Sequence, residues 1–444
     1  MPGVEQLLAD IDQASFLAHR ALGRSSIVQV VWRYPGDLDR EELEHFRRAL
    51  TGTSLGRRVE RSSVPCGRHH WVRADGPGPL VESADPIEPD RIGAWSAALS
   101  GVQVDPEHGP GWFLATVPLT DGGAALALVV SHTLGDGLAI VEAVQAVATG
   151  RSGGVGAPPP RGRVTLRHRL HDARVALGAV LPAVRGLAAT VRLGRSERDA
   201  VPGSLWQSVR SRSVDGGEVI DVPAVLVGVP EAVWRERAEA LGGSVLTGFA
   251  GLAVRMGAEF GRVGADGCVS LTFPINDRIE GDTRANALVP LTVRVRPEDI
   301  ASDLGGLRHE IGRRLDDLRT HGSPTTVALA VTPFVPKALA RRLEGVAAGS
   351  SATVGCSSSG VLDPAMVRPT GTQAVDCWVV DGQPLPEDHL RRIGGVLMLC
   401  SWTVNGRVAI SVRGWQPGVA TTQGELLDRV RKVFAELGLP ADFH

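Results

Sequence analysis

A histidine followed four residues later by an Asp-Gly pair closes a long apolar segment of this sequence. The stretch ALALVVSHTLGDGLAIVEAV, residues 125–144, reads as a buried strand up to Val130. A side chain at a strand end projects into the crevice beyond the sheet, and an imidazole with a pKa of about 6.5 accepts a proton at neutral pH. The pattern predicts either a general base at His132 or a strand-end histidine that bonds a backbone carbonyl.

The residues after His132 predict a sharp turn into a helix. Gly135 and Gly137 make a tight turn easy, and apolar residues recur at helical spacing from Gly137 to about Ala148. Asp136 is placed to cap this helix or to pair with a cation. Either role would fix the loop that carries His132.

A second stretch, GRHHWVRADG at residues 67–76, also places histidines before an Asp-Gly pair. Its residues alternate between polar and bulky, which is typical of a half-exposed strand, and Asp75-Gly76 is typical of a turn. We therefore expect structural roles for His69 and His70.

Other chemical motifs are missing from the sequence. GCSSSG, residues 355–360, has a serine where a nucleophile elbow needs its second glycine. No Walker loop, dinucleotide fingerprint or metal-ligand spacing of histidines and carboxylates occurs. We expect chemistry without a metal or a bound cofactor.

The composition is that of a soluble globular protein, with 444 residues, 43% hydrophobic and 22% charged. The 47 basic and 49 acidic residues nearly cancel, so no overall field favours nucleic acid as a partner. Five scattered cysteines without a C-x-x-C pair favour a reducing cytoplasm. No apolar run reaches the roughly 18 residues of a membrane span.

Helix-like and strand-like segments alternate without strict order, which predicts an α/β protein. Glycine and proline concentrate in TGRSGGVGAPPPRGRVT, residues 149–165, which is typical of a linker. We predict an N-terminal half over 1–150, a linker region with a basic amphipathic helix over 151–214, and a C-terminal half over 215–444.

The segment 171–195 within the linker region has helical spacing of apolar residues. These residues are Leu177, Val180, Leu181, Val184, Leu187, Ala188 and Val191. Arg174, Arg185 and Arg192 flank the stripe, and such arginines can reach phosphate headgroups. The pattern leaves two interpretations open: a helix on a membrane surface, or a linker helix packed on its own protein.

The segment SHTLGDG, residues 131–137, resembles the H-H-x-x-x-D-G signature of the superfamily of condensation domains and coenzyme-A-dependent acyltransferases. Ser131 replaces the first signature histidine. His132 keeps the second, which does the chemistry in that superfamily. In HHWVRADG four residues separate the second histidine from Asp75, so that stretch does not match.

Farther along the chain, GGSVLTGFAGLAVRM followed by LTFPINDRIEGDTRANALVPLTVRV is similar to the wax ester synthase/diacylglycerol acyltransferase branch. Arg278 and Asn286 fall where that branch has a basic residue after a strand and an asparagine before a Leu-Pro strand. GCSSSGVLDP departs from the branch, many of whose members have an Asn-Val-Pro-Gly-Pro run there.

The resemblance implies two chloramphenicol-acetyltransferase-like halves with a substrate tunnel between them. His132 would remove a proton from an acceptor hydroxyl or amine as it attacks a thioester carbonyl. Asp136 would be structural, with Arg278 as its ion-pair partner.

Donors to the oxyanion of such a reaction are also implied. The backbone N–H of Gly137, at a helix N-terminus, is one candidate. Candidates for a contact with the tunnel or the oxyanion from the other half are Ser357, Ser358 and Ser359.

The expected function is acyl transfer from a coenzyme A or carrier-protein thioester to the hydroxyl of a small-molecule or lipid acceptor. An alternative is a free-standing condensation enzyme that forms an amide in nonribosomal secondary metabolism. A third is a non-catalytic scaffold that retains the fold. Peripheral membrane contact is compatible with each.

Overall fold

The computed structural model describes residues 7–23, 25–151, 157–196, 218–279, 281–300, 302–323, 327–336 and 353–444. Helices and strands are mixed along these ranges, and the strands form two large sheets. The α/β class predicted from the sequence is therefore confirmed.

The elements before the linker include the strand that precedes His132 and the helix that follows it. They are α1 (Asp10–Leu22), β1 (Ile27–Tyr34), α2 (Arg40–Ala49), β2 (Arg57–Glu60), β3 (His70–Arg73), β4 (Leu80–Glu82), α3 (Ile92–Leu99), β5 (Trp112–Pro118), β6 (Ala124–Ser131) and α4 (Gly137–Ala148). Every residue of β6 is buried, and β6 pairs antiparallel with β1 on one side and β5 on the other. The predicted apolar strand is thus the centre of a sheet.

Two helices follow the linker, α5 (Leu166–Gly178) and α6 (Val180–Ser196). The sequence pattern predicts one helix over 171–195, whereas the structure interrupts it at Ala179. Pro182 has no N–H to donate to the carbonyl of Gly178, a hydrogen bond that a continuous helix needs there.

The rest of the chain supplies the second sheet and its helices. The elements are β7 (Val219–Ile220), β8 (Ala224–Pro230), α7 (Glu231–Ala240), α8 (Val245–Glu259), β9 (Val269–Asn276), β10 (Leu288–Val295), α9 (Gly305–His321), β11 (Thr353–Val361), β12 (Asp376–Gly382), β13 (Leu385–Pro386), α10 (Glu387–Ile393), β14 (Val396–Val404), β15 (Arg407–Trp415), α11 (Gln423–Glu436) and β16 (Asp442–Phe443). The turn between β14 and β15 has φ of 50° at Asn405 and 73° at Gly406, which a type I′ turn requires. Capping boxes begin α8 at Ser244 and α11 at Thr422.

One strand of the first sheet also contacts the second sheet. The five-stranded sheet has the order β12-β1-β6-β5-β4, and the seven-stranded sheet has the order β10-β9-β11-β14-β15-β8-β16. Although β12 comes late in the chain, it pairs antiparallel with β1. The indole N–H of Trp378 on β12 donates to the carbonyl of Val227 on β8 at 2.9 Å. Strand β12 therefore ties the sheets together, and the region boundaries at 150 and 214 stay predictions.

No described helix is by itself long and apolar enough to cross a membrane. Helices α7 and α8 together meet that requirement in length and composition, but they are bent by 79° relative to each other. Most of α8 is buried in the core beneath the second sheet.

Candidate active site

Strand β6 places His132 immediately beyond the end of the first sheet. The backbone N–H of His132 donates to the carbonyl of Ser26 at 2.8 Å, so the residue is held by the strand next to it. Its side chain is half-buried, whereas Ser131, Thr133 and Leu134 around it are buried. The imidazole thus lies at the boundary between the core and the space outside the sheet.

Asp136 fixes the turn after His132 through three kinds of contact. Its carboxylate accepts the N–H of Ala139 at 2.8 Å and so caps α4. It also accepts the N–H of Ala287 at 2.9 Å and forms an ion pair with Arg278 at 3.0 and 3.1 Å. The ion pair expected between Asp136 and Arg278 is present, and both side chains are nearly buried.

The loop 277–287 between β9 and β10 crosses from the second half to this turn. The carbonyl of Ala285 accepts the N–H of Asp136 at 3.1 Å. Arg278 donates to the carbonyls of Arg284 at 2.8 Å and Ala285 at 3.2 Å, which stiffens the loop on itself. The site is therefore assembled from both halves of the chain.

Asn286 lies between His132 and a buried carboxylate from α1. Its Oδ1 is 2.8 Å from Nδ1 of His132, and its Nδ2 donates to Asp12 Oδ1 at 2.9 Å and to the His132 carbonyl at 3.0 Å. Asp12 also accepts the backbone N–H groups of Asn286 at 2.8 Å and Ala285 at 3.0 Å. Burial raises the pKa of Asp12 above its usual 3.8, although the bonds from Asn286 and Ala285 lower it in part.

This network determines which ring nitrogen of His132 carries the proton. Both carboxylate oxygens of Asp12 accept backbone N–H groups, so the amide nitrogen of Asn286 faces Asp12 and its oxygen faces His132. Nδ1 of His132 must then be the N–H donor, which leaves Nε2 with its lone pair. Among the described residues, the one side-chain hydrogen bond of the His132 ring is the one at Nδ1.

A second buried charge, Arg57, braces the same loop. Its guanidinium donates to the carbonyls of Leu134 at 3.3 Å and Thr283 at 3.1 Å and lies 4.2 Å from the ring centre of Trp71. Burial lowers the pKa of Arg57 to about 10, and the nearby Asp12 opposes that shift. Arg57 thus links the turn after His132 to the loop that carries Asn286.

Ser131, which stands where the signature has its first histidine, is completely buried. Its hydroxyl is 3.4 Å from the hydroxyl of Ser25, which lies 2.8 Å from Nδ1 of His19 on α1. Thr133 is likewise 3.0 Å from Ser15 on α1. Helix α1 therefore supports both sides of His132.

The three candidate serines of the second half lie on β11 beside β14. Among the described residues, no hydrogen bond joins Ser357, Ser358 or Ser359 to His132 or its network. Surface cavities next to α2, next to α11 and at the C-terminal strand are lined by other residues. The roles of these serines and the substrate tunnel stay predictions, as does the oxyanion role of Gly137, the first residue of α4.

His69 and His70 have structural partners. Nδ1 of His69 accepts the N–H of Ser62 at 3.1 Å, and burial, with a smaller contribution from Arg20, lowers the pKa of His69 to about 4. His70 is buried, and its Nε2 lies 3.1 Å from Oδ1 of Asp172 on α5. Both histidines belong to the contact between β3 and its neighbours.

Asp12 and Arg57 are the residues that the sequence pattern did not identify. A signal for Asp12 does exist, because Asp12 and Phe16 lie four residues apart in α1 and are both buried. An aspartate on the apolar face of an amphipathic helix needs buried partners. Arg57 has no comparable local signal.

No group of three or more His, Cys, Asp or Glu side chains that could hold a metal ion occurs among the described residues. No protein-family profile matches the sequence, and no curated protein matches it.

Comparison with solved structures defines the class of fold. The chain is similar to the first condensation domain of the calcium-dependent antibiotic synthetase in complex with a substrate analogue, with a TM-score of 0.56 at 17% identity over 98% of this chain and 96% of that one. The predicted α/β fold is thereby confirmed, and it is the fold that this condensation domain has.

Two further structures carry the same fold. The wax ester synthase/diacylglycerol acyltransferase from Marinobacter aquaeolei VT8 has a TM-score of 0.56 at 15% identity over 97% of this chain and 98% of that one. Polyketide synthase associated protein 5 from Mycobacterium tuberculosis has a TM-score of 0.54 at 15% identity over 98% and 99%.

Proposed function

We propose that this protein is an acyltransferase that moves an acyl group from a coenzyme A or carrier-protein thioester to an acceptor hydroxyl, with His132 as general base. The observation that carries the proposal is the hydrogen bond from Nδ1 of His132 to Asn286, whose amide is oriented by Asp12. This hydrogen bond fixes the orientation of the ring, and the lone pair of Nε2 is then available at the edge of the core.

The proposed reaction uses this lone pair twice. Nε2 of His132 takes the proton of the acceptor hydroxyl while the hydroxyl oxygen forms a bond to the thioester carbonyl carbon. The tetrahedral intermediate then collapses, the carbon–sulfur bond breaks, and the leaving thiolate takes the proton from Nε2. The products are an ester and a free thiol, and the imidazole returns to its starting state.

The oxyanion of the intermediate needs hydrogen-bond donors near His132. We assign this role first to the backbone N–H of Gly137, because the first turn of α4 has N–H groups without helical acceptors. Ser357, Ser358 and Ser359 are the proposed contributors from the second half. Asp136 and Arg278 hold the turn and take no part in bond making.

Amide formation is the second candidate, and the likeness to a condensation domain favours it. An amine acceptor would lose its proton to the same Nε2. The donor would then be an acyl or aminoacyl group on a carrier protein. Ester and amide products differ in mass, so one assay separates them.

The decisive experiment measures thiol release from acyl-coenzyme A donors of short to long chain with mixed alcohol and amine acceptors, followed by mass analysis of the products. His132→Ala should lower turnover at least about 10²-fold, because general base catalysis contributes about 10²- to 10⁴-fold. His321→Ala, an exposed histidine on α9, is the matched control. Melting curves establish that each variant is folded.

A folded His132→Ala variant with near wild-type turnover would contradict the assignment of the base. If coenzyme A donors give no release, carrier-loaded acyl groups are tested next. Absence of acceptor-dependent release from both donor types would contradict the enzyme proposal and favour a scaffold that retains the fold.

A further inference from the structure

Helices α5 and α6 present their large apolar side chains to solvent. Leu166 and Leu177 are 72% and 74% exposed. The exposed stripe, as we call it, consists of Leu166, Leu170, Leu177, Val180, Leu181, Val184 and Leu187. In a surface helix such residues ordinarily face the protein core. In α5 and α6 they face solvent instead.

The opposite face of the two helices, built from small or polar residues, contacts the protein. Asp172 and Gly186 are buried, and Ala179 and Ala183 are half-buried. A Cβ atom at Gly186 would lie 2.7 Å from the carbonyl oxygen of Val327, so α6 approaches this neighbour as closely as its backbone allows. Packing against the protein therefore does not cover the exposed stripe.

Asp172 fixes this orientation of α5. Its carboxylate accepts the N–H and hydroxyl of Ser63, both at 2.7 Å, and two bonds from Arg161 at 3.0 and 3.1 Å. His70 lies 3.1 Å from the same carboxylate. If α5 rotated about its axis to bury its leucines, the Asp172 carboxylate would lose these partners. The loss of a buried charge's partners is strongly destabilising.

The exposed charged residues on the two helices within 166–188 are basic. At 100° per residue the stripe covers an arc of about 40° in α5 and about 120° in α6. Arg167 and Arg174 border it in α5, and Arg185 borders it in α6. These arginines are exposed. Between residues 166 and 196 the only acidic residue is Asp172, which is buried and paired.

We propose that the exposed stripe docks the protein on an anionic lipid bilayer. Leucine and valine side chains would enter the boundary between headgroups and acyl chains, while the bordering arginines would reach lipid phosphates. This proposal stands independently of acyl transfer, because it uses neither His132 nor its network.

The test is co-sedimentation of the full chain with phosphatidylcholine vesicles, with and without phosphatidylglycerol, in low and high salt. The wild-type protein should pellet with the anionic vesicles in low salt, and the pelleted fraction should fall in high salt or without phosphatidylglycerol. Leu177→Glu/Leu181→Glu should abolish pelleting, and Arg174→Glu/Arg185→Glu should reduce it. Val361→Glu, on an exposed valine of β11, is the matched control and should pellet like wild type.

Three results would overturn the proposal. Wild-type protein that stays in the supernatant under every condition shows that the stripe does not bind lipid. Leu177→Glu/Leu181→Glu protein that pellets like wild type places the lipid contact elsewhere. A wild-type dimer that this double variant converts to monomer, without vesicle binding by either protein, shows that a second copy covers the stripe.

Discussion

Asp12 on α1 accepts three N–H hydrogen bonds from the two residues Ala285 and Asn286. A buried carboxylate needs such partners to stay ionised, and here they are supplied by the loop that faces His132. The aspartate touches no reacting atom in the proposed mechanism. It is a positioning residue, which acts on His132 only through the amide of Asn286.

Replacement of Asp12 by asparagine should disturb the tautomer of His132. The new side chain keeps one acceptor oxygen but sets its NH₂ group against an N–H group that Asp12 accepted, either that of Ala285 or those of Asn286, so Asn286 is held less firmly. We expect turnover to fall at least about 10-fold with little change in the KM of the donor, because substrate contacts are untouched. Ring ¹⁵N chemical shifts of His132 should report a mixture of the two tautomers.

Asp10→Asn, on the same helix but outside the network, is the matched control. It should keep wild-type turnover and the single tautomer. The positioning role is wrong if Asp12→Asn leaves the ¹⁵N spectrum and turnover unchanged, whereas a lower melting temperature alone indicates a purely structural residue.

Helix α4 and the loop 277–287 depend on one carboxylate. Asp136 caps the helix, accepts the N–H of Ala287 and neutralises Arg278. Local sequence explains the cap, since an aspartate before the first helical residue is a common N-cap. The ion pair requires the second half of the chain to be folded against the first.

Asp136→Ala should lower the free energy of unfolding by about 3 to 5 kcal/mol, because it leaves the guanidinium of Arg278 buried without a counter-charge. Urea unfolding measures this loss. The double variant Asp136→Ala/Arg278→Met should recover part of it, since no unpaired charge remains. Unchanged stability together with lost turnover would instead place Asp136 in the chemistry.

The spacing of apolar residues in helices α5 and α6 is compatible with two arrangements. Their periodicity predicts an apolar stripe and flanking arginines, and it left a membrane surface and packing on the protein as alternatives. In the structure the helices contact the protein through Asp172 and small residues while the stripe stays exposed, so contact with a membrane stays a prediction. Periodicity shows which side chains share a face, and a tertiary anchor decides where that face points.

The whole molecule is joined at β12 and at the loop 277–287. Strand β12 completes the first sheet and contacts the second, and the loop brings Arg278 and Asn286 to His132. A site built across this junction requires both halves to be folded together. A change that unfolds either half should therefore also abolish activity.

Acidification should lower the free energy of unfolding of the protein because His69 must then become protonated. Its pKa is about 4 in the folded protein against the usual 6.5, because burial disfavours the charged ring. A folded-state pKa below the unfolded one gives stability that is complete above pH 6.5 and is lost as pH falls through 4. The expected loss across this window is about 3 kcal/mol, measured by urea unfolding at several pH values.

His69→Gln is the informative variant, because its side-chain oxygen can still accept the N–H of Ser62 but does not titrate. Its free energy of unfolding should be lower at pH 7 and flatter between pH 6.5 and 4 than that of wild type. Parallel pH profiles for the two proteins would show that His69 does not carry the acid sensitivity.

Elements that depend on near neighbours in the chain could be predicted from the sequence. The strand before His132, the turn through Asp136, helix α4 and the Asn405-Gly406 hairpin all follow from periodicity, capping and turn chemistry. Such signals span only a few residues. The prediction of His132 as general base comes from the resemblance in SHTLGDG.

The partners of those elements could not be predicted and are known from the folded structure. Asp12 and Arg57 reach the site from α1 and β2, β12 crosses to the first sheet, and the exposed stripe faces solvent. The physical reason is that a period of 2 or 3.6 residues identifies a buried face without identifying what covers it. Hydrogen bonds between residues as distant in sequence as Asp12 and Asn286 form only when the whole chain is folded.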